Sequence, residues 1–222
     1  MKRVAVVALA LLLAACGSRP PAPDWQVAAH GALERYRQAY LAGADGAAEA
    51  EFARARRELS ATGQAALVAR AELTRCALRV ASLDFAPCSG FEALRADAAA
   101  AERAYADYLA GQRADAALLP PQHRGIAGGA TGAASLAGIE DPLARLVAAG
   151  VLVRSGRATP EVLQQAGDTA SAQGWRRPLL AWLGAQLRLV EQGGREQEAA
   201  QLRRRIALVT GEPVGGPTAS GR

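Results

Sequence analysis

A chain of 222 residues with 26 basic and 21 acidic side chains carries a net charge of only +5; half of it is hydrophobic and 5% aromatic. That length allows one hydrophobic core or two small ones, and the abundance of alanine with few runs of Val, Ile, Thr or aromatics excludes a β-rich fold and favours helix throughout. The surplus charge is too modest to predict a nucleic-acid partner, so the cluster of Arg54, Arg56 and Arg57 and the run Arg203-Arg204-Arg205 read as solvated helix faces.

At the N-terminus, Lys2 and Arg3 precede an apolar segment at residues 4–13, followed by small Ala14 and Ala15 and then Cys16. The apolar stretch is well short of the about 20 residues needed to cross a bilayer, which predicts a removable leader rather than a membrane span. Leu13-Ala14-Ala15-Cys16 resembles the lipobox of bacterial lipoproteins. The resemblance implies that residues 1–15 are removed and that the Cys16 thiol carries a diacylglyceryl group, anchoring a periplasm-facing domain. Gly17, where an Asp would imply retention at the inner membrane, implies the outer membrane. Two or more acyl chains make such an anchor durable. Loss of Lys2, the only lysine, and Arg3 leaves 24 basic residues against 21 acidic ones, an excess of +3. An envelope address also removes nucleic acid from the expected partners.

Residues 16–24, with Pro20, Pro21 and Pro23, have the composition of an extended tether. An N-terminal helical half is expected over 25–117. Leu33, Tyr36 and Tyr40 line its first helix, residues 43–46 form a turn, and Ala48, Phe52, Ala55 and Leu59 line the second at three- and four-residue spacing. The spacing of Ala48, Phe52 and Ala55 resembles the second helix of tetratricopeptide repeats, which implies antiparallel hairpins in an irregular bundle or short α-solenoid. A third helix is predicted over 67–83. Ser89 and Glu92 match a capping box that opens a fourth, continuous helix striped by Phe91, Leu94, Ala98, Ala101, Tyr105 and Tyr108. With Cys16 assigned to lipid, Cys76 and Cys88 form the one possible intramolecular pair. An oxidising compartment and a short return of the chain past Pro87 predict a disulfide, worth about 2 to 3 kcal/mol.

Residues 118–138 contain Pro120-Pro121 and five glycines and are expected to form a Pro/Gly-rich loop or hinge. No Lys-Ser or Lys-Thr follows the Gly-Gly-Ala-Thr-Gly run, so it is not a phosphate-binding loop. His123 and Arg124 stand there as the exposed catalytic candidates. A C-terminal helical half is expected over 139–211. Asp141-Pro142 and Thr159-Pro160 each place a capping residue before a proline suited to the first helical position. Leu143, Leu146, Val147 and Val151 line the first of its helices, Gly174 ends the second, Trp175 opens the next, and Ala199, Leu202, Ile206 and Val209 line the last; 212–222 reads as a disordered tail.

Beyond the leader, His30 and His123 are the only histidines, which excludes a site built on several His ligands. No Gly-x-Ser-x-Gly elbow or Cys-x-x-Cys motif is present, and nothing calls for a cofactor or metal. The expected function is therefore a non-enzymatic scaffold or adaptor for envelope proteins, anchored through Cys16. Trp175, Arg176 and Arg177 are the expected partner surface, because Trp and Arg dominate binding hot spots. The alternative is a peptidoglycan-active enzyme using paired carboxylates.

Overall fold

A computed structural model describes residues 21–213. The leader, Cys16 with most of the tether, and the tail from residue 214 lie outside the described residues. Among the described residues all regular structure is helical: eleven α-helices and two 3-10 turns form an all-α bundle.

In α1 (Asp24–Ala42) Ala29, Ala32, Tyr36 and Tyr40 recur at three- and four-residue steps, and all are buried. Gly43 closes the helix at φ 82°, a left-handed conformation that costs glycine nothing, and its N–H donates to the Tyr40 carbonyl at 3.0 Å. The turn lays α2 (Asp45–Ser60) back on α1, with the Phe52 ring 5.0 Å from that of Tyr36. Next comes α3 (Ala65–Ala81), ten of whose 17 residues are buried. One face, with Val68, Ala71 and Leu78, completes the α1–α2 core; the other, with Leu73, Ala77 and Val80, enters a larger core that extends to Leu202.

The larger core is built around α8 (Pro142–Arg154), apolar on nearly its whole circumference, with eight of 13 residues buried. Its N-terminus is capped as the sequence predicts: Asp141 Oδ1 accepts from the Ala144 N–H at 2.6 Å, and Pro142 takes the first helical position. Thr159 makes no side-chain cap bond, but Pro160 does open α9 (Pro160–Ala172). Then α10 (Arg176–Gln192) and α11 (Glu196–Thr210) follow as consecutive neighbours. Trp182 of α10 is wholly buried, and its indole N–H donates to the Ala81 carbonyl at 3.0 Å, satisfying an end of α3 that has no intrahelical donor. The bundle closes where α10 meets α1. There the Arg177 guanidinium donates to the Tyr40 carbonyl at 2.7 Å, pairs with Asp45 and lies 4.3 Å from the centre of the Tyr40 ring.

Two expectations are corrected. The continuous fourth helix is broken into one turn, α4 (Ser89–Glu92), a 3-10 turn at Arg95–Asp97, extended Ala98, and α5 (Ala100–Leu109). Ser89 forms no capping bond, and Glu92 pairs instead with Arg95 at 2.7 Å. The cause is α3. Cys88 is joined to Cys76, with their Cα atoms 5.9 Å apart, within disulfide range, and Gly90 lies so close to the Glu72 carboxylate that a Cβ would overlap it. Glu102 reaches Arg70 at 2.6 Å, and positions 72 and 70 lie about 200° apart around α3. A chain pinned on both sides of a cylinder must bend around it, and a straight helix cannot.

Residues 118–138 are not an open loop or hinge. A 3-10 turn (Ala116–Leu118), α6 (Pro121–Ala127) and α7 (Gly132–Ala137) bury Leu119, Ile126 and Leu136, with Ile139 following, in the larger core. The glycines and prolines shorten these helices, while one aliphatic side chain in each segment still pins it down. The larger core accordingly draws on both the N- and the C-terminal halves, while the buried residues of the α1–α2 core all come from the N-terminal half.

Gly150 marks the closest approach of α3 and α8. A Cβ there would overlap the Val80 backbone carbonyl, which cannot swing aside. Gly150→Ala is expected to destabilise the protein by about 3 kcal/mol in chemical denaturation. At Gly46, helical and with open space around its Cβ position, the same change is expected to be neutral or to stabilise by up to about 1 kcal/mol.

Candidate functional site

One and two turns before Gly150, α8 presents Val147 and Leu143, and α3 presents Ala77 and Leu73 at the matching distance from Val80. Between these faces, α5 and the 118–124 segment lies a groove of about 630 Å³. Its walls are apolar, with Leu118 and Leu119 opposite Leu73, Ala77, Leu143 and Val147, and its rim carries Arg70, Glu102, Arg124 and Asp141.

His123 lines the groove from within the core, only 2% exposed. Its ring lies 5.0 Å from that of Tyr108 and 5.7 Å from that of Tyr105, and its Nδ1 is 3.2 Å from the Tyr108 hydroxyl. Burial drives the imidazole pKa down to about 4 against the opposing pull of Asp141, so the ring is neutral. Burial also raises the tyrosine hydroxyls above their ordinary range, which keeps them protonated. Among the described residues the Tyr108 hydroxyl has this imidazole as its one partner. The arrangement that leaves no Tyr108 proton unshared has the hydroxyl donate to Nδ1, so Nε2 keeps the ring proton and has no acceptor of its own.

The acidic groups of the rim are each engaged through one oxygen. Glu102 bonds Arg70, which draws its carboxyl below the usual range, and Asp141 is spent on the α8 cap. Arg124 is exposed and uses Nε on the Leu119 carbonyl at 2.9 Å, leaving its two Nη groups without partners among the described residues. The polar valences left open among the described residues are of both kinds: Glu102 Oε2, buried without a partner, is an acceptor, and the two Nη groups of Arg124 are exposed donors. Such a groove can meet a donor or an acceptor, and an imidazole of pKa about 4 is a weak base for proton transfer at neutral pH.

The sequence-predicted residues fall elsewhere. Trp175, Arg176 and Arg177 do not form one open patch. Trp175 is half-buried against both cores, Arg177 is drawn into the clamp on Tyr40 and Asp45, and only Arg176 stays exposed, donating to the Val209 carbonyl at 3.1 Å. His123, expected in an exposed loop, is buried because Pro121 starts a helix that turns it inward against Tyr108. Cys76 and Cys88 meet beside α4, away from the groove, and Cys16 lies outside the described residues. The Tyr105 and Tyr108 stripe, read from sequence as packing, divides: Tyr108 is core and Tyr105 also lines the groove. No protein-family model, curated protein or solved structure matches this chain.

The buried imidazole sets a pH dependence of stability. Its folded pKa of about 4 lies below the unfolded value of 6.5, so from pH 6.5 downward the unfolded chain takes a proton that the folded one refuses, and stability falls as pH falls. The full effect is about 3 kcal/mol. Melting curves between pH 7 and pH 4.5 are expected to show this decline in the wild type and a flatter profile in His123→Phe, whatever that variant's absolute stability.

Proposed function

We propose that this protein is an outer-membrane lipoprotein, held by lipid on Cys16 and facing the periplasm, that acts as a non-enzymatic adaptor: its groove receives an apolar segment of another envelope protein. The observation that carries the reading is the groove itself, apolar along its walls, with its charged side chains at the rim. The lipobox supports the address, and the Cys76–Cys88 pair suits an oxidising compartment. A peptidoglycan-active enzyme would need one carboxyl held protonated and another free across a cleft. In this groove Arg70 keeps Glu102 ionised and Asp141 serves the helix cap, so the adaptor reading is preferred. Arg176 lies outside the groove, and the proposal does not rest on it.

Photo-crosslinking in intact envelopes tests the reading. A photoreactive residue at Leu118, 40% exposed at the groove, is expected to yield discrete adducts with envelope proteins, whereas one at Val27, 60% exposed on α1, is not. Cys16→Ser is expected to lose fatty-acid labelling, accumulate as precursor and lose the Leu118 adducts. Identical adduct patterns at both positions, or normal labelling of Cys16→Ser, would overturn it.

A further inference from the structure

The groove lies within reach of the chain's own N-terminus. Resting on the lipoprotein reading, we infer that the groove also receives the lipid of Cys16: away from a membrane, one acyl chain packs on Leu73, Ala77, Leu143 and Val147, and it vacates the groove when it enters a bilayer.

The first support is reach. The Phe52 ring lies 5.0 Å from that of Tyr36 and 4.7 Å from the Arg75 guanidinium, so Arg75 of α3 stands level with Tyr36 of α1, and the groove residues Arg70 and Ala77 bracket that level. Both helices are joined to α2 by short turns and run in the same sense, so the groove lies on the side of α1's length that begins at Asp24. From Asp24 to the level of Tyr36 is about 18 Å at 1.5 Å per residue, and one helix spacing of about 8 to 10 Å sideways brings the path to about 20 Å. The stretch from Cys16 to Asp24, with its three prolines, spans about 25 Å at about 3.1 Å per residue.

The second support is charge. Arg70 and Arg124 balance Glu102 and Asp141 around apolar walls, which suits an uncharged occupant. Glu102 Oε2 and the Arg124 Nη groups leave both an acceptor and donors open, and the base of the lipid carries both complements, a donor in the Cys16 nitrogen and acceptors in the glyceryl ester carbonyls. The volume of about 630 Å³ lies within the range of sites that enclose small ligands, room for one chain and not for a whole lipid. A tether raises the local concentration of its own end to the millimolar range, an advantage that no separate partner has. One acyl chain alone anchors marginally where two hold well, so the groove that holds a chain loosens the anchor, and the membrane that takes both chains frees the groove for its partner.

The test uses the mature protein made in cells fed a diazirine-bearing palmitate analogue, purified, freed of detergent and irradiated, with light and heavy isotopic copies mixed so that adducts within one copy are told from adducts between copies. Adducts within one copy are expected on the peptides of the 118–124 segment and of α8, and vesicles of phosphatidylethanolamine with phosphatidylglycerol are expected to lower them at least tenfold. Deletion of residues 18–22 cuts the reach to about 10 Å and is expected to abolish these adducts with the groove untouched. Ala101→Trp, which places bulk at an exposed lining position of α5, is expected to abolish them while the melting temperature stays close to wild type. Adducts only between copies, adducts scattered outside the groove, or adducts unchanged by the deletion overturn the inference. If Cys16 takes up the analogue and the groove stays unlabelled, the inference falls and the lipoprotein reading stands; if Cys16 takes up none, the lipoprotein reading falls and the inference with it.

Discussion

The approach of α3 to α8 at Val80 and Gly150 is the constraint on which the rest of the molecule depends. Backbone meets backbone there with no room for one methyl group, and this is possible because both helices are rich in alanine and offer little bulk around the crossing. Small residues let helix axes come close, which is how a chain with 5% aromatic residues still excludes water from its core. The same crossing sets the groove. One and two turns toward the N-termini, the two helices still face each other, but the space between them is entered by His123 and Leu119 from the 118–124 segment and not filled by either helix. Groove and tight contact are two parts of one helix pair.

Arginine does much of the joining around that core, and its partners are frequently backbone carbonyls. Arg145 donates to Ile139 at 2.7 and 3.0 Å, Arg157 to Ile126, Arg124 to Leu119, Arg154 to Leu109 and Arg177 to Tyr40. These carbonyls belong to helix ends and connections, where the regular helical ladder of backbone bonds runs out. A guanidinium has five donors in a planar fork and keeps its charge under all ordinary conditions, so one side chain can bond a carbonyl and still reach water. The basic residues are thereby distributed over internal tasks, and the modest charge surplus does not collect into a nucleic-acid surface.

How much of this the sequence discloses depends on the range of the interaction. The α1–α2 hairpin is legible because Tyr36, Tyr40, Phe52 and Leu59 repeat at helical spacing on either side of Gly43, and the start of α8 because Asp141 and Pro142 act on their own neighbours. The break between α4 and α5 is not. Its stripe is continuous, and the bend comes from Glu72 and Arg70, which hold the segment on two sides of a helix some twenty residues earlier. Residues 118–138 mislead in the opposite sense, since composition registers their glycines and cannot register that Leu119, Ile126 and Leu136 each find the core. Arg177 shows a third failure: Trp and Arg at a helix start have the composition of a binding surface, and only the fold brings Tyr40 and Asp45 across 137 and 132 positions to occupy the guanidinium. The groove draws on segments between residues 70 and 147 and leaves no local pattern.

The address and the site are linked through the wrapped segment. The Cys76–Cys88 pair fixes where the chain leaves α3 and begins its turn around it, and Arg70 with Glu102 fixes where that turn ends. From that end α5 runs on, placing Ala101, Glu102 and Tyr105 along one wall of the groove and Tyr108 under the imidazole. The arrangement therefore holds one covalent pin and one ion pair. Exposed pairs of the latter kind contribute about 0 to 1 kcal/mol, so most of the positional certainty at this wall falls to the covalent pin and to burial of Phe91 and Tyr108. A disulfide persists in an oxidising compartment and not in the cytosol. On the lipoprotein reading, then, the leader that selects the compartment also selects the conditions under which the groove wall is held in register.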